Sequence, residues 1–456
     1  MTFLSPSPTK LGVVCLARTT FEHELALQWY QQAQTALREL DRSLAEIEIY
    51  FVEKLVVEPA DAQVAVEKMR EVPVDALVVV NGTFALGGLA QTIATLLDLP
   101  ILLWAWPEPT EQTGTLRFNS LVGMHLNASN LHKLGLRPAT LYAAPAAPEA
   151  MRAVAQFAKI ASIVHDLRRL RIGLIGGHAP GFDNLAVNKL ALRRALGVEV
   201  VDIGLPTLVA KAKSIEKEHI HIARTEMLES FNDVSEVSYV QSEQYAALIL
   251  AVSNLAKEQN FDAFALKCWG DLVEQYGIAG CGAVAKLNDS GLVVGCEGDV
   301  LGAVTMLIAQ RLCGAPAFLT DLVSINATDN TGFCWHIGCA PLCLANPNKP
   351  KHLFAHFANG KGLTAGFPLK AGRLTILRLG DDGRNLRMLA TTGQALECEL
   401  EARGTVANVQ FDGNAQKFLD ELLSNGWEHH IALAYGDIVP ELEMLCRALN
   451  VPLTKI

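Results

Sequence analysis

LGVVCLA at 11–17, EIYFVEKLV at 48–56 and DALVVVNG at 75–82 are three short β-branched runs held apart by longer amphipathic stretches, about 22–37 and 60–70. Each run has the length of a strand, and each spacer has the length of a crossover helix. Strand, helix, strand at this rhythm predicts a parallel sheet, because parallel neighbours cannot be joined by a tight turn. The unit extends through GGLAQTIATLLDL (87–99) as a helix and PILLWAW (100–106) as a strand. A helical zone then runs from about 119 to 170, broken by Gly135, Pro138 and the Ala/Pro-rich AAPAAPEA.

Working toward the C-terminus, RIGLIGGHAPGF (171–182), VEVVDIG (198–204), DAFALKCW (262–269) and GLVVGCE (291–297) predict the strands of a second parallel sheet, with DVLGAVTMLIAQRL (299–312) as a helix. After Cys313 the texture changes: RLTILRL (373–379) and VANVQF (406–411) lie near turn signals such as GDDG, and helices return only at 414–423 and 440–449. The expectation is an α/β protein with two Rossmann-like parallel-sheet domains, 1–165 and 166–312, followed by a β-rich C-terminal domain, 313–456.

Composition narrows the function classes. The chain has 456 residues, a formal net charge of −10, 50% hydrophobic residues and 19% charged ones. So apolar a chain buries enough surface to fold, and an acidic chain without a basic stripe argues against nucleic acid or an anionic membrane. No passage reaches the roughly 20 apolar residues of a membrane span. The N-terminus does not read as a signal peptide, so a cytoplasmic protein is expected. Ten scattered cysteines without a CxxC pair speak against zinc fingers and a disulfide framework.

Three places could carry chemistry. The glycine turn GLIGGHAPGF departs from G-x-G-x-x-G, and Pro180 stands where a helix should present amides to a pyrophosphate, which weakens an NAD-dependent dehydrogenase reading. Glu297 and Asp321 each follow a predicted strand, where α/β proteins place ligand-binding groups. Capping is the simpler reading of Asp299. His336 lies in the irregular TGFCWHIGCAP, and His429 and His430 precede the strand IALAYG. Two carboxylates with one or two imidazoles suit a borderline-hard divalent cation.

CEGDVLGAVTM (296–306), AFLTD (317–321), WHIGCAP (335–341) and GWEHHIALAYGD (426–437) resemble the L-fucose/L-arabinose isomerase superfamily, including its shorter sulfoquinovose-isomerase members. LVGMHLNASNLHKLG (121–135), RIGLIGGHAPGF and LKCW (266–269) extend the resemblance over most of the chain. It implies a C-terminal domain containing a β-barrel and aldose–ketose isomerisation of a free sugar through a cis-enediol, with an L-fucose/D-arabinose-like or sulfoquinovose-like substrate. It also implies Mn²⁺, with Co²⁺ or Mg²⁺ as alternatives, on Glu297, Asp321 and His430. Glu297 and Asp321 would double as the acid/base pair, while His336 would be a ligand or a sugar contact. Lys267 and Trp269 would hold a sugar hydroxyl or anionic tail, and Arg18 would reach a neighbouring subunit in a trimer-based homo-oligomer, up to a hexamer. A non-catalytic sugar-binding or sensor protein is the rival class, since two α/β lobes around a crevice would suffice for it.

Overall fold

The computed structural model describes residues 8–109, 114–358 and 360–456. They form two compact units, one of 8–166 with 443–450 and one of 167–442 with 451–456.

The first unit is built on β1 (Thr9–Leu16), β2 (Ile47–Phe51), β3 (Ala76–Asn81), β4 (Ile101–Ala105) and β5 (Ala139–Tyr142). All neighbours are parallel, in the order β2-β1-β3-β4-β5. Both faces of β1 are buried, which is why LGVVCLA reads as a continuous apolar run and not as an alternation. Leu11, Val13 and Cys15 pack in a core that includes Ala26 and Tyr30 of the helix His23–Ser43 and Phe157 of the helix Pro148–Arg169. Val14 and Leu16 belong to a core on the other side, with Val66 of Pro59–Glu71, Ile93 of Gly87–Leu97 and Met124 of Ser120–Lys133. The expected helical zone is thus interrupted by β5, a short strand between two turn signals.

The second unit contains two sheets. β6 (Arg171–Ile175), β7 (Glu199–Ile203), β8 (Ala263–Leu266) and β9 (Val293–Cys296) run parallel in the order β7-β6-β8-β9. The weakly apolar 211–240 region contains the whole of the helix Lys217–Glu229.

The second sheet of this unit comprises β10 (Phe318–Asn326), β11 (Thr331–His336), β12 (His352–Ala355), β13 (Leu363–Pro368), β14 (Gly372–Asp381), β15 (Leu386–Leu396), β16 (Thr405–Phe411), β17 (His430–Tyr435) and β18 (Leu453–Lys455). Its order is β12-β13-β16-β11-β10-β17-β14-β15-β18, and β15 also pairs with β16. That pairing closes β16, β11, β10, β17, β14 and β15 into a six-stranded antiparallel barrel, with β12–β13 and β18 added outside the ring.

The expected break at 312/313 separates these two sheets, but one apolar core runs through both. It joins Phe264, Leu266 and Val294 of the parallel sheet to Phe318, Ile376 and Leu433 of the barrel. No helix among the described residues is long and apolar enough to cross a membrane.

Candidate active site

The β9 strand ends at Cys296, and the chain turns sharply before the helix Val300–Cys313. Glu297 takes φ +62° and Gly298 φ +79°. Two successive left-handed residues are costly for anything but glycine at the crowded position. A Cβ on Gly298 would run into the carbonyl oxygen of Gly177 and the backbone of His178, in the glycine loop after β6. That loop accordingly works as a close-packed support: the Ala179 N–H donates to the Glu297 carbonyl at 3.0 Å.

Barrel register brings the remaining groups to Glu297. Asp321 on β10 pairs directly with His430 on β17 and, across its other edge, with Trp335 on β11. His336 is the next residue and ends β11. His430 Nε2 lies 3.3 Å from Glu297 Oε2, 3.8 Å from Asp321 Oδ1 and 3.2 Å from His336 Nε2. Four groups scattered along the sequence therefore converge on one point.

Their orientations are fixed from outside the cluster. His430 is fully buried, and its Nδ1 lies 2.9 Å from Asp299 Oδ2, so the ring donates there and aims Nε2 toward the carboxylates. Asp299 also caps the helix Val300–Cys313 by accepting from the Gly302 N–H at 2.7 Å. Arg378 on β14 pairs with the same carboxylate at 2.5 and 3.1 Å, and its Nε is 3.5 Å from Glu428. Capping is thus only part of what Asp299 does.

His336 is held differently. Its Nδ1 accepts from the Ile337 N–H at 2.9 Å and faces Cys339 Sγ at 3.3 Å, which leaves the proton of a neutral ring on Nε2. Trp269 Nε1 donates to Glu297 Oε1 at 3.0 Å.

Electrostatics keep the acids ionised. Burial raises the Glu297 carboxyl, but contacts with His429 and His430 and the nearby His336 outweigh it and leave the group well below the usual carboxylate range. Burial likewise raises Asp299, and the Arg378 charge with the His430 bond reverses that. Burial lowers His430, whereas Asp299 and Glu297 push it above the ordinary imidazole value.

A cleft of about 490 Å³ opens onto this cluster, within the range of small-molecule sites. Glu297, Asp321 and His336 line one part of it, and Trp269, Trp335 and Phe357 give it aromatic walls. Asp321 Oδ1 is buried without a hydrogen-bond partner. An orphaned anionic oxygen beside an imidazole nitrogen and a second carboxylate is a donor set that fits a divalent cation.

Of the residues expected at the site, Glu297, Asp321, His336, His430 and Trp269 come together. Lys267 is not among the residues that line the cleft; its ammonium is 2.7 Å from Asp271. Arg18 follows β1 in the first unit, where its backbone N–H donates to Thr83 at 2.7 Å. His429 lies beside the cluster as well, with Nε2 at 3.5 Å from Glu297 and Nδ1 within 3.1 Å of Asn184. Asp299 as an orienting group and Arg378 as its counter-ion were not read from sequence. The pairing of a charged residue with an apolar strand in RLTILRL was the available signal for Arg378.

Residues 12–168 match the family model of the fucose/sulfoquinovose isomerase N-terminal domain, and 348–456 match that of the L-fucose isomerase C-terminal domain. The chain is 30% identical over 378 residues to a sulfoquinovose isomerase of Clostridium sp. (strain MSTE9), covering 82% of this chain and 84% of that one. The chain belongs to the fucose/sulfoquinovose isomerase family. Sulfoquinovose isomerases of Alkalicoccus urumqiensis and Priestia aryabhattai are each 28% identical, covering 97% of this chain and 98% of theirs. Within this family it is a sugar isomerase of the aldose–ketose type, which sets aside the rival reading as a non-catalytic sugar-binding or sensor protein.

Proposed function

We propose that this sugar isomerase is metal-dependent and works through a cis-enediol on a sulfoquinovose-like or L-fucose/D-arabinose-like aldose. The observation that carries the reading is the convergence of Glu297, Asp321 and His430 Nε2 around the orphaned Asp321 oxygen, beside a sugar-sized cleft that Glu297 and Asp321 line. Glu297, Asp321 and His430 would hold the cation, Mn²⁺ above all, with Co²⁺ and Mg²⁺ as alternatives. When bound, it supplies positive charge that steadies the anion developing on the sugar oxygens.

The chain's own residues do the rest. Isomerisation moves one proton between C2 and C1, and a carboxylate on one face of the sugar takes it and returns it. Trp269 restrains Glu297 through its Oε1, leaving Oε2 toward the imidazoles. His336, with Nδ1 occupied, presents an Nε2–H suited to donate to a sugar oxygen, which favours a sugar contact over ligation. The aromatic walls shield the reacting carbons from water.

Glu297→Gln and Asp321→Asn, each with an unchanged circular dichroism spectrum, should lower turnover of an Mn²⁺-supplemented sugar by at least about 10³-fold, within the range lost with a general acid/base. His430→Ala should lose mainly metal affinity and regain part of its rate at high Mn²⁺. Carrying the reaction out in D₂O should place label at C1 of the ketose. Full activity of Glu297→Gln after chelation would overturn the reading, and absence of label where the base exchanges its proton with solvent faster than it returns it would overturn the enediol route.

A further inference from the structure

Four of the ten cysteines gather immediately beside the Glu297 turn in the fold. Cys268, Cys281, Cys296 and Cys339 are all buried. The sulfurs of Cys268 and Cys296 lie 2.9 Å apart, too far for a covalent bond of about 2.05 Å yet inside ordinary contact. Cys268, Cys281 and Cys296 offer sulfurs that all lie within 4.8 Å of one another. Cys339 touches Cys296 and also faces His336.

We propose that Cys268, Cys281 and Cys296 form a second metal site, for a thiophilic d¹⁰ divalent cation of the Zn²⁺ class, separate from the nitrogen and oxygen donors of the cleft. Sulfur at a metal–sulfur distance of about 2.3 Å places tetrahedral ligands roughly 3.8 Å apart, which the present spread accommodates with small shifts. The three sulfurs come from three places: the chain just after β8, the end of β9 and the start of the helix Cys281–Asp289. A backbone bond from the Gly280 N–H to the Cys268 carbonyl, 2.7 Å, already ties two of them together.

Cys281 is the first residue of its nine-residue helix. Binding exchanges three S–H protons, released to solvent, for three sulfur–metal bonds, and no electron is transferred. Cys339, next in reach of Cys296, stands where a fourth donor would come from. The two sites sort themselves by softness, all sulfur in one and all nitrogen and oxygen in the other. A cation here would pin the residue before Glu297 to the neighbouring strand and helix.

The test uses Cd²⁺ alone as the probe. Full-length protein, reduced, chelator-stripped and kept anaerobic, should develop an ultraviolet thiolate-to-metal charge-transfer band that saturates at one equivalent and is displaced by excess Zn²⁺. The cleft ligands give no such band, so Glu297→Gln should show it unchanged, and loss of the isomerase reading would not touch the result. Cys268→Ser and Cys281→Ser should each remove most of the amplitude, whereas Cys343→Ser, an exposed cysteine, should retain it. No band in the wild type would overturn the proposal even if the serine variants fail to fold. So would a band undiminished in both variants, or a Cys268–Cys296 disulfide in freshly isolated, unreduced protein.

Discussion

Asp299 is the residue on which three demands meet: it starts a helix, neutralises a buried guanidinium and aims a histidine. In the proposed metal site such a group would touch the ligand His430 and not the cation, and the loss of such a partner typically costs about 10- to 100-fold in affinity. Asp299→Asn keeps the size and can still cap, so calorimetric titration with Mn²⁺ should show a fall of about that order while the helix content stays constant. A variant that binds Mn²⁺ as tightly as the parent would show that His430 holds its direction unaided. This role could not be seen in DVLGAVTM, where a helix start explains the aspartate completely. What decides it is that β17 and β14 bring His430 and Arg378 to the same carboxylate from more than 70 residues away.

At the scale of elements, Glu297 sits at the strand end named from sequence, because a residue that leaves a buried strand must find solvent, a partner or a ligand. Asp321, expected just after a strand, instead lies inside β10, which runs on to Asn326 because β11 pairs with it beyond Asp321. Less legible were connections set by pairing register. Nothing in AFLTD or in EHHIAL states that Asp321 lies opposite His430, since register is a property of two strands together. Lys267 does occupy the expected strand end, and there its ammonium pairs with Asp271, four residues on at the start of the next helix.

Two elements invite tests. Gly298→Ala should distort the Glu297 turn and cost upward of about 1–2 kcal/mol from the left-handed backbone alone, before the clash with Gly177 is counted. A denaturation midpoint unchanged from the parent would contradict that. Arg378→Ala leaves Asp299 and Glu428 buried without their cation and should destabilise the second unit by about 3–5 kcal/mol, measurable by urea unfolding.

For the molecule as a whole, the cleft poses a question of charge. Among the described residues that line it there is no lysine or arginine, and Glu274 joins Glu297 and Asp321. A sulfonated sugar needs a cationic partner once water is excluded. Arg18 of the first unit, acting within a homo-oligomer, remains our candidate for that partner. Sizing by light scattering should give a multiple of 49.3 kDa. Arg18→Met should raise KM for a sulfosugar well beyond its effect on a neutral hexose, and equal effects on both would remove Arg18 from that role. The alternation of strand and helix made the layered architecture readable at this scale. The barrel was less so, because its closure depends on one extra pairing, β15 with β16.

That closure also has an order in time. During synthesis the chain that carries Glu297 and Asp321 emerges well before His430, and β17 is the strand that fills the gap between β10 and β14. Until it arrives the ring is open, two strands present bare edges, and the carboxylates lack their imidazole. A polypeptide halted short of residue 430 would therefore lack both the closing strand and the His430 imidazole, and would offer two unpaired strand edges to its neighbours on the ribosome.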